Sequence, residues 1–160
     1  MRGWMMAAGG AAVVAAAGGA GWMVAAGGAA AQGILRPDDA QILAEGAAIH
    51  AKACAACHGA DLAGAADWQN PLPTGRMPPP PHDETGHTWH HNDLQLFLLT
   101  RFGVAEMVGG GYQSDMPGFE GELTDREILA VLSWIKSRWP DAVRARHDEI
   151  NAATLPPPEG

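Results

Sequence analysis

"ACAACHGA", residues 53–60, holds the only two cysteines of a 160-residue chain, with a histidine directly after the second. A Cys-x-x-Cys pair serves as a redox disulfide, as half of a zinc site or as the attachment point of a haem, and each needs its own setting. A thioredoxin-like disulfide sits in a βαβ unit, and no segment here alternates apolar and polar residues for the length of a strand. Zinc needs four ligands; His87 and His91 have the right mutual spacing, but 29 residues separate Cys57 from His87, well beyond a finger's gap. On a helix, positions i, i+3 and i+4 share a face, so Cys54, Cys57 and His58 project together. Two sulfurs on the edge of a planar ring, with the adjacent imidazole on its iron, fit that geometry, and the string reads as a c-type haem attachment.

The composition agrees with a bound cofactor. Hydrophobic residues make up 47% of the chain, but much of that is alanine in the first 31 positions, and Phe97, Phe102, Phe119 and Tyr112 are the only Phe or Tyr. An unaided core would be thin, and a buried ring would supply the missing apolar mass. The net charge of -8 and a lysine count of two, Lys52 and Lys136, exclude nucleic acid as a partner.

The pattern outside the first segment is all-α with long loops. Pro37, Asp38 and Asp39 supply helix-start chemistry for a helix from about Asp38 to His58, in which Gly46 leaves a notch for a crossing element. Gly59 to Pro81 reads as loop, ending in four consecutive prolines. A second helix fits Asp93 to Gly103, with Leu94, Phe97, Leu98 and Phe102 as its buried stripe, and Gly109 to Pro117 is loop again. "LTDREILAVLSWIKSRW" is the clearest helix: Thr124 as N-cap, Glu127 completing a capping box, and Ile128, Val131, Leu132 and Ile135 as the stripe. Trp139-Pro140 breaks it. A polar extension to about Asn151 and a Pro-rich tail follow, expected to be exposed and partly mobile.

Haem iron takes a second axial ligand, and Met116 in "SDMPGF" is the best framed, 58 residues after His58 and followed by Pro117 and Gly118. Otherwise a loop methionine fills a core gap, and a polar loop offers little to fill. Met77 and Met107 are less well framed.

From about Gln41 to Trp139 the chain resembles a class I cytochrome c of the bacterial mono-haem type with a His/Met iron. The resemblance implies one covalent haem c on Cys54 and Cys57, with His58 and Met116 on the iron, inside a domain of three to five helices. It further implies that the first helix crosses the last at a glycine-aromatic contact, here Gly46 and Trp134, although His50 stands where an aromatic residue is common. A proline carbonyl orients the proximal imidazole in that family; Pro71 in "NPLP" is similarly placed, with Pro73 next. Arg76, Trp89 and Tyr112 are candidates to hold the haem propionates. The implied function is single-electron transfer between redox-protein partners of a respiratory chain, with no small-molecule substrate. Six-coordinate iron leaves no open position, so the expectation is a carrier and not an enzyme.

The first 33 residues stand apart. "GWMMAAGGAA" at 3–12 returns as "GWMVAAGGAA" at 21–30, and Arg2 is the only charge before residue 36. As a helix, Trp4 and Trp22 would lie on one face about 27 Å apart, near the thickness of a bilayer's hydrocarbon core. The segment is expected to be a single-pass anchor whose Gly and Ala also permit contact with another membrane helix, or alternatively a signal peptide cleaved near Ala31. Either places the haem domain in the periplasm, at the outer face of the cytoplasmic membrane. The expected organisation is therefore 1–33 anchor or signal, 34–40 linker, 41–140 haem domain and 141–160 extension and tail. His82, His87, His90 and His91 lie outside this account. They suggest either a polar loop over the haem edge, a substitute iron ligand, or a copper or zinc site that would make the protein a redox subunit or sensor coupled to metal handling.

Overall fold

Asp39 starts the first helix of the computed structural model, which describes residues 33–154. Its carboxylate accepts from the backbone N–H of Gln41 and Ile42, satisfying two of the donors that a helix start leaves open. Helix α1 (Ala40–Ile49) runs without a break into a π-helical turn (His50–Cys54) and then α2 (Ala55–His58). The other helices are α3 (Asp93–Phe102), α4 (Val104–Val108), α5 (Asp125–Ser137) and α6 (Asp141–Thr154), with a 3-10 turn at Thr88–His90. With α1 to α2 taken as one rod, the described residues form five helices, and among them the only β pairing is an isolated bridge between Glu120 and Leu123.

The frame is the crossing of α1 over α5. Gly46 is buried, and a Cβ there would stand 2.2 Å from the Ala130 carbonyl oxygen and 2.8 Å from Trp134 Cβ, so the two backbones meet at this point. One turn further on, His50 takes the aromatic position, its ring 4.6 Å from that of Trp134. Helix α5 has the expected capping box of Thr124 and Glu127, and it buries Ile128, Val131, Leu132 and Ile135 as its stripe. Leu35, Leu62, Leu96 and Trp139 complete the core.

Three expectations need correction. First, α3 buries Asp93, Leu96 and Thr100, while Leu94 is 58% exposed. The helix is turned by Asp93, whose carboxylate accepts from Leu35 N–H and from the Asn151 amide. Second, residues 34–40 are no free linker: Leu35 is buried, Arg36 N–H donates to the Ser133 hydroxyl, and Arg144 pairs with Asp38 at 2.6 Å. Third, α6 is docked and not loose. His147 is fully buried and donates from Nε2 to the His91 carbonyl, and Lys136 of α5, itself buried, reaches Asp148 at 2.5 Å. A short helix, α4, precedes the loop at Gly109. Among the described residues no helix is long and apolar enough to cross a membrane; the hydrophobic segment expected to do so lies outside them.

Two predictions follow from the packing. Gly46→Ala forces its methyl against the Ala130 carbonyl and is expected to cost about 2 kcal/mol or more, read as a lower denaturation midpoint. His50→Phe keeps the contact with Trp134 and removes a buried Nε2 that has no hydrogen-bond partner, which should stabilise by about 1 kcal/mol. A third concerns pH. Burial, and then nearby His58, lowers the pKa of His50; burial, and then Lys136, lowers that of His147. Both rings bind protons less readily folded than unfolded. Stability is therefore full above the ordinary value of 6.5 and falls as pH drops below it, which denaturation between pH 7.5 and 5 would measure.

Candidate functional site

The cysteines and His58 are delivered by the end of the first helical rod. The π-helical turn closes through the Ala55 N–H to the His50 carbonyl and contains one residue more than an α turn. An inserted residue rotates everything beyond it by about 100°, so the side chains of α2 are phased independently of the face that Gly46 and His50 turn to α5. Cys54 is half-buried and Cys57 exposed, both as free thiols. Burial, and secondarily Cys57, pushes the Cys54 thiol up to about 11. An attacking thiol needs the opposite shift, towards a ready thiolate, so Cys54 is not set up for that role.

His58 is held by a carbonyl. Its Nδ1 lies 2.9 Å from the Pro80 oxygen and donates to it, since a carbonyl only accepts. That fixes the tautomer with Nε2 unprotonated and available to a metal. Burial lowers the His58 pKa, with the Pro80 bond opposing, so the ring is neutral as a ligand must be. The sequence pointed to Pro71 or Pro73 for this role; both are exposed, and the acceptor comes from the proline run instead. Those prolines dock on the strand of loop that follows His58. Gly64 N–H donates to the His58 carbonyl, Ala65 N–H to Pro79, and His82 N–H to Leu62. Gly64, at φ +62, sits so close to Pro80 and Pro81 that a Cβ would come within 2.5 Å of both. The signal available in the sequence was the run itself: four stiff residues without N–H groups, presenting carbonyls, with a glycine upstream to receive them.

Met116 is half-buried in the loop between α4 and α5. Its backbone N–H donates to Ser114 Oγ at 3.1 Å. Just beyond it the loop is pinned under the end of α3: Phe119 N–H donates to Thr100, Glu120 N–H to Arg101, and Gly118 and Gly103 meet backbone to backbone. Arg101 then pairs with both Glu120 and Asp125. On the other side, Arg76 pairs with Asp115, the residue before the methionine. Arg76 thus binds a carboxylate of the chain. Trp89 stacks on His90 and donates to the Glu84 carbonyl, and Tyr112 is exposed.

The histidines of the 82–91 loop separate. His82 stacks on His58, with ring centroids 3.9 Å apart; His87 lies between Trp68 and His91; His90 lies on Trp89. Burial above all, then the neighbouring His58, His50 and His87, holds the His82 pKa well below its ordinary value. Among the described residues no three His, Cys, Asp or Glu side chains come together as a metal site. The His82 ring lies face to face against the His58 ring.

The donor set fits a haem bonded through two thioethers: two free cysteines, and a neutral imidazole with Nε2 available, within one short stretch of helix. The family model for Cytochrome c matches residues 43–139, more than half of the chain. No curated protein and no solved structure matches it. That family carries covalently bound haem c with iron, its attachment motif here being Cys54, Cys57 and His58, and its activity is electron transfer by a haem protein. The chain belongs to the cytochrome c family.

Proposed function

We propose that this protein carries single electrons between redox-protein partners, and that His58 and Met116 would hold the iron of its haem. The hydrogen bond from His58 Nδ1 to Pro80 carries the reading, because it leaves Nε2 unprotonated in a preset ring. When bound, the haem supplies a one-electron Fe(III)/Fe(II) couple. The chain's own part is to hold an imidazole and a thioether in place, so that little rearranges when the charge changes. The Gly103-Gly118 contact and the Arg76-Asp115 pair brace the methionine loop from both ends. A thioether ligand favours the reduced state and raises the potential.

Docking is expected to be apolar. Lys136 is buried and paired with Asp148, which leaves Lys52 as the exposed lysine. The Arg76-Asp115 pair joins the loop bearing exposed Leu72 and Met77 to the loop bearing exposed Tyr112 and half-buried Met116, and exposed apolar side chains of this kind suit a partner that does not seek a lysine ring. The setting we infer is the outer face of the cytoplasmic membrane in a respiratory chain, reached through the hydrophobic N-terminal segment as anchor or signal. If that segment is retained, the docked residues Leu35 to Asp38 leave little slack, and partners must lie close to the membrane.

The full-length holoprotein should show a low-spin spectrum with the weak near-infrared band of Met-to-iron charge transfer, and a reversible one-electron titration. Met116→Ala should abolish the band and lower the potential; a band that persists in that variant would remove Met116 from the iron. Replacing either Cys54 or Cys57 with alanine should leave haem attached through one thioether, whereas the double variant should release it all on denaturation, as haem-stained gels would show.

A further inference from the structure

His82 is unexplained by the attachment motif, yet it makes the closest aromatic contact to the proximal ring. Its centroid is 3.9 Å from that of His58, with the planes 25° apart. Two anchors of the same kind hold the two rings. His58 donates from Nδ1 to the Pro80 carbonyl. His82 has Nδ1 2.9 Å from Thr88 Oγ1, and Thr88 Oγ1 is 3.3 Å from the Pro81 carbonyl. The hydroxyl has one proton; once it is directed at Pro81, the oxygen accepts from His82, and both rings hang from consecutive prolines. The backbone of His82 is fixed as well. Its N–H donates to Leu62 at 2.8 Å, and its carbonyl accepts from Trp139 Nε1 at 2.7 Å, which ties it to the end of α5. Thr88 itself is buried.

A single hydrogen bond sets where Nδ1 of a ligating imidazole lies, but leaves the ring free to tilt about that bond. A flat neighbour with its own rigid attachment removes the remaining freedom. We propose that His82 is a positioning residue for the proximal ligand: its ring, anchored by Thr88 on a backbone fixed by Leu62 and Trp139, sets the plane of the His58 imidazole and thereby the electronic character of the iron it would hold. This rests on the reading of His58 as an iron ligand. The orientation of an axial imidazole governs the anisotropy of a low-spin ferric signal, so the role has a readout separate from folding and from electron-transfer activity.

The test compares full-length holoprotein carrying His82→Leu, His82→Phe or Thr88→Val with the unaltered chain, by electron paramagnetic resonance of the ferric state and by redox titration. The expected result is a clear shift of g values and potential in His82→Leu, which has bulk but no flat face, and a return towards the original values in His82→Phe. Haem loading by the Phe variant alone would support the same conclusion. Coincidence of His82→Leu with the unaltered protein in both measurements, or equal shifts in Leu and Phe, would overturn it. If neither His82 variant takes up haem, Thr88→Val decides: it leaves His82 in place without its anchor, so shifted g values support the proposal and unchanged ones refute it. Absence of any low-spin, histidine-ligated signal from the unaltered protein would instead refute the ligand assignment of His58, and with it the proposal, before any variant is compared.

Discussion

The approach of α1 to α5 at Gly46 is the constraint on which the remaining geometry hangs. Hydrophobic contact is non-directional, so two helices with apolar faces can slide and rotate against each other at little cost. A glycine that accepts the Ala130 carbonyl at its Cα removes that freedom, because only one register brings the notch under the carbonyl. His50 and Trp134 then meet one turn along, and Glu45 and Arg126 pair at 2.8 Å on the outer side of the crossing. Once the rod is seated, the end of the same rod, with Cys54, Cys57 and His58, has a fixed position over the core. The π-helical turn separates the two tasks, since the seated face and the cofactor-bearing face need different phases of one continuous helix.

The second layer of order is built from loop, and proline is what makes it rigid. A segment without regular structure ordinarily samples many conformations, and ordering it costs about 1–2 kcal/mol per residue in backbone entropy. Four successive prolines have already lost most of that freedom, so the run can be docked on residues 62–65 by a few backbone bonds. What it gains is a row of carbonyls at set spacing. Pro79 receives Ala65, Pro80 receives His58, and Pro81 receives Thr88. One stiff segment therefore positions the loop after the attachment motif, the proximal imidazole and, through Thr88, the ring stacked on it.

What the sequence disclosed and what it concealed differ by range. The capping box at Thr124 and Glu127, the stripe of α5, the helix start at Asp39 and the notch at Gly46 are local patterns, each set by residues within a few positions of one another, and each was legible. The attachment motif was legible for the same reason, since Cys54, Cys57 and His58 fall within five residues. The acceptor for His58 was not, because it depends on where a loop folds back: Pro80 lies 22 residues away, and the proline run marks a stiff segment without showing which carbonyl meets the ring until Gly64 is seen beneath it. The stripe expected on α3 held at Phe97, which packs on the core, but not at Leu94, which is exposed. A buried carboxylate on Asp93 turns the helix, and its partners come from residues 35 and 151.

That carboxylate also explains how a chain with so few large apolar residues holds its last helix. Asp93 Oδ2 accepts from Leu35 N–H and Oδ1 from Asn151, whose own oxygen accepts from the Asp93 N–H; His147 closes the group by donating to the His91 carbonyl. Every donor in the set meets an acceptor, which is the condition under which a buried polar cluster strengthens a fold instead of weakening it. Apolar residues in the same places would have buried comparable area but fixed neither register nor orientation, and α6 offers only a shallow apolar face to guide it. Directional bonds to α3 and to the segment before α1 therefore do what bulk cannot. They close the domain by tying its first described residues to its last helix through one side chain, and among the described residues they leave His50 Nε2, packed against Trp134 of α5, as the exception that marks where polar satisfaction was given up for an aromatic contact.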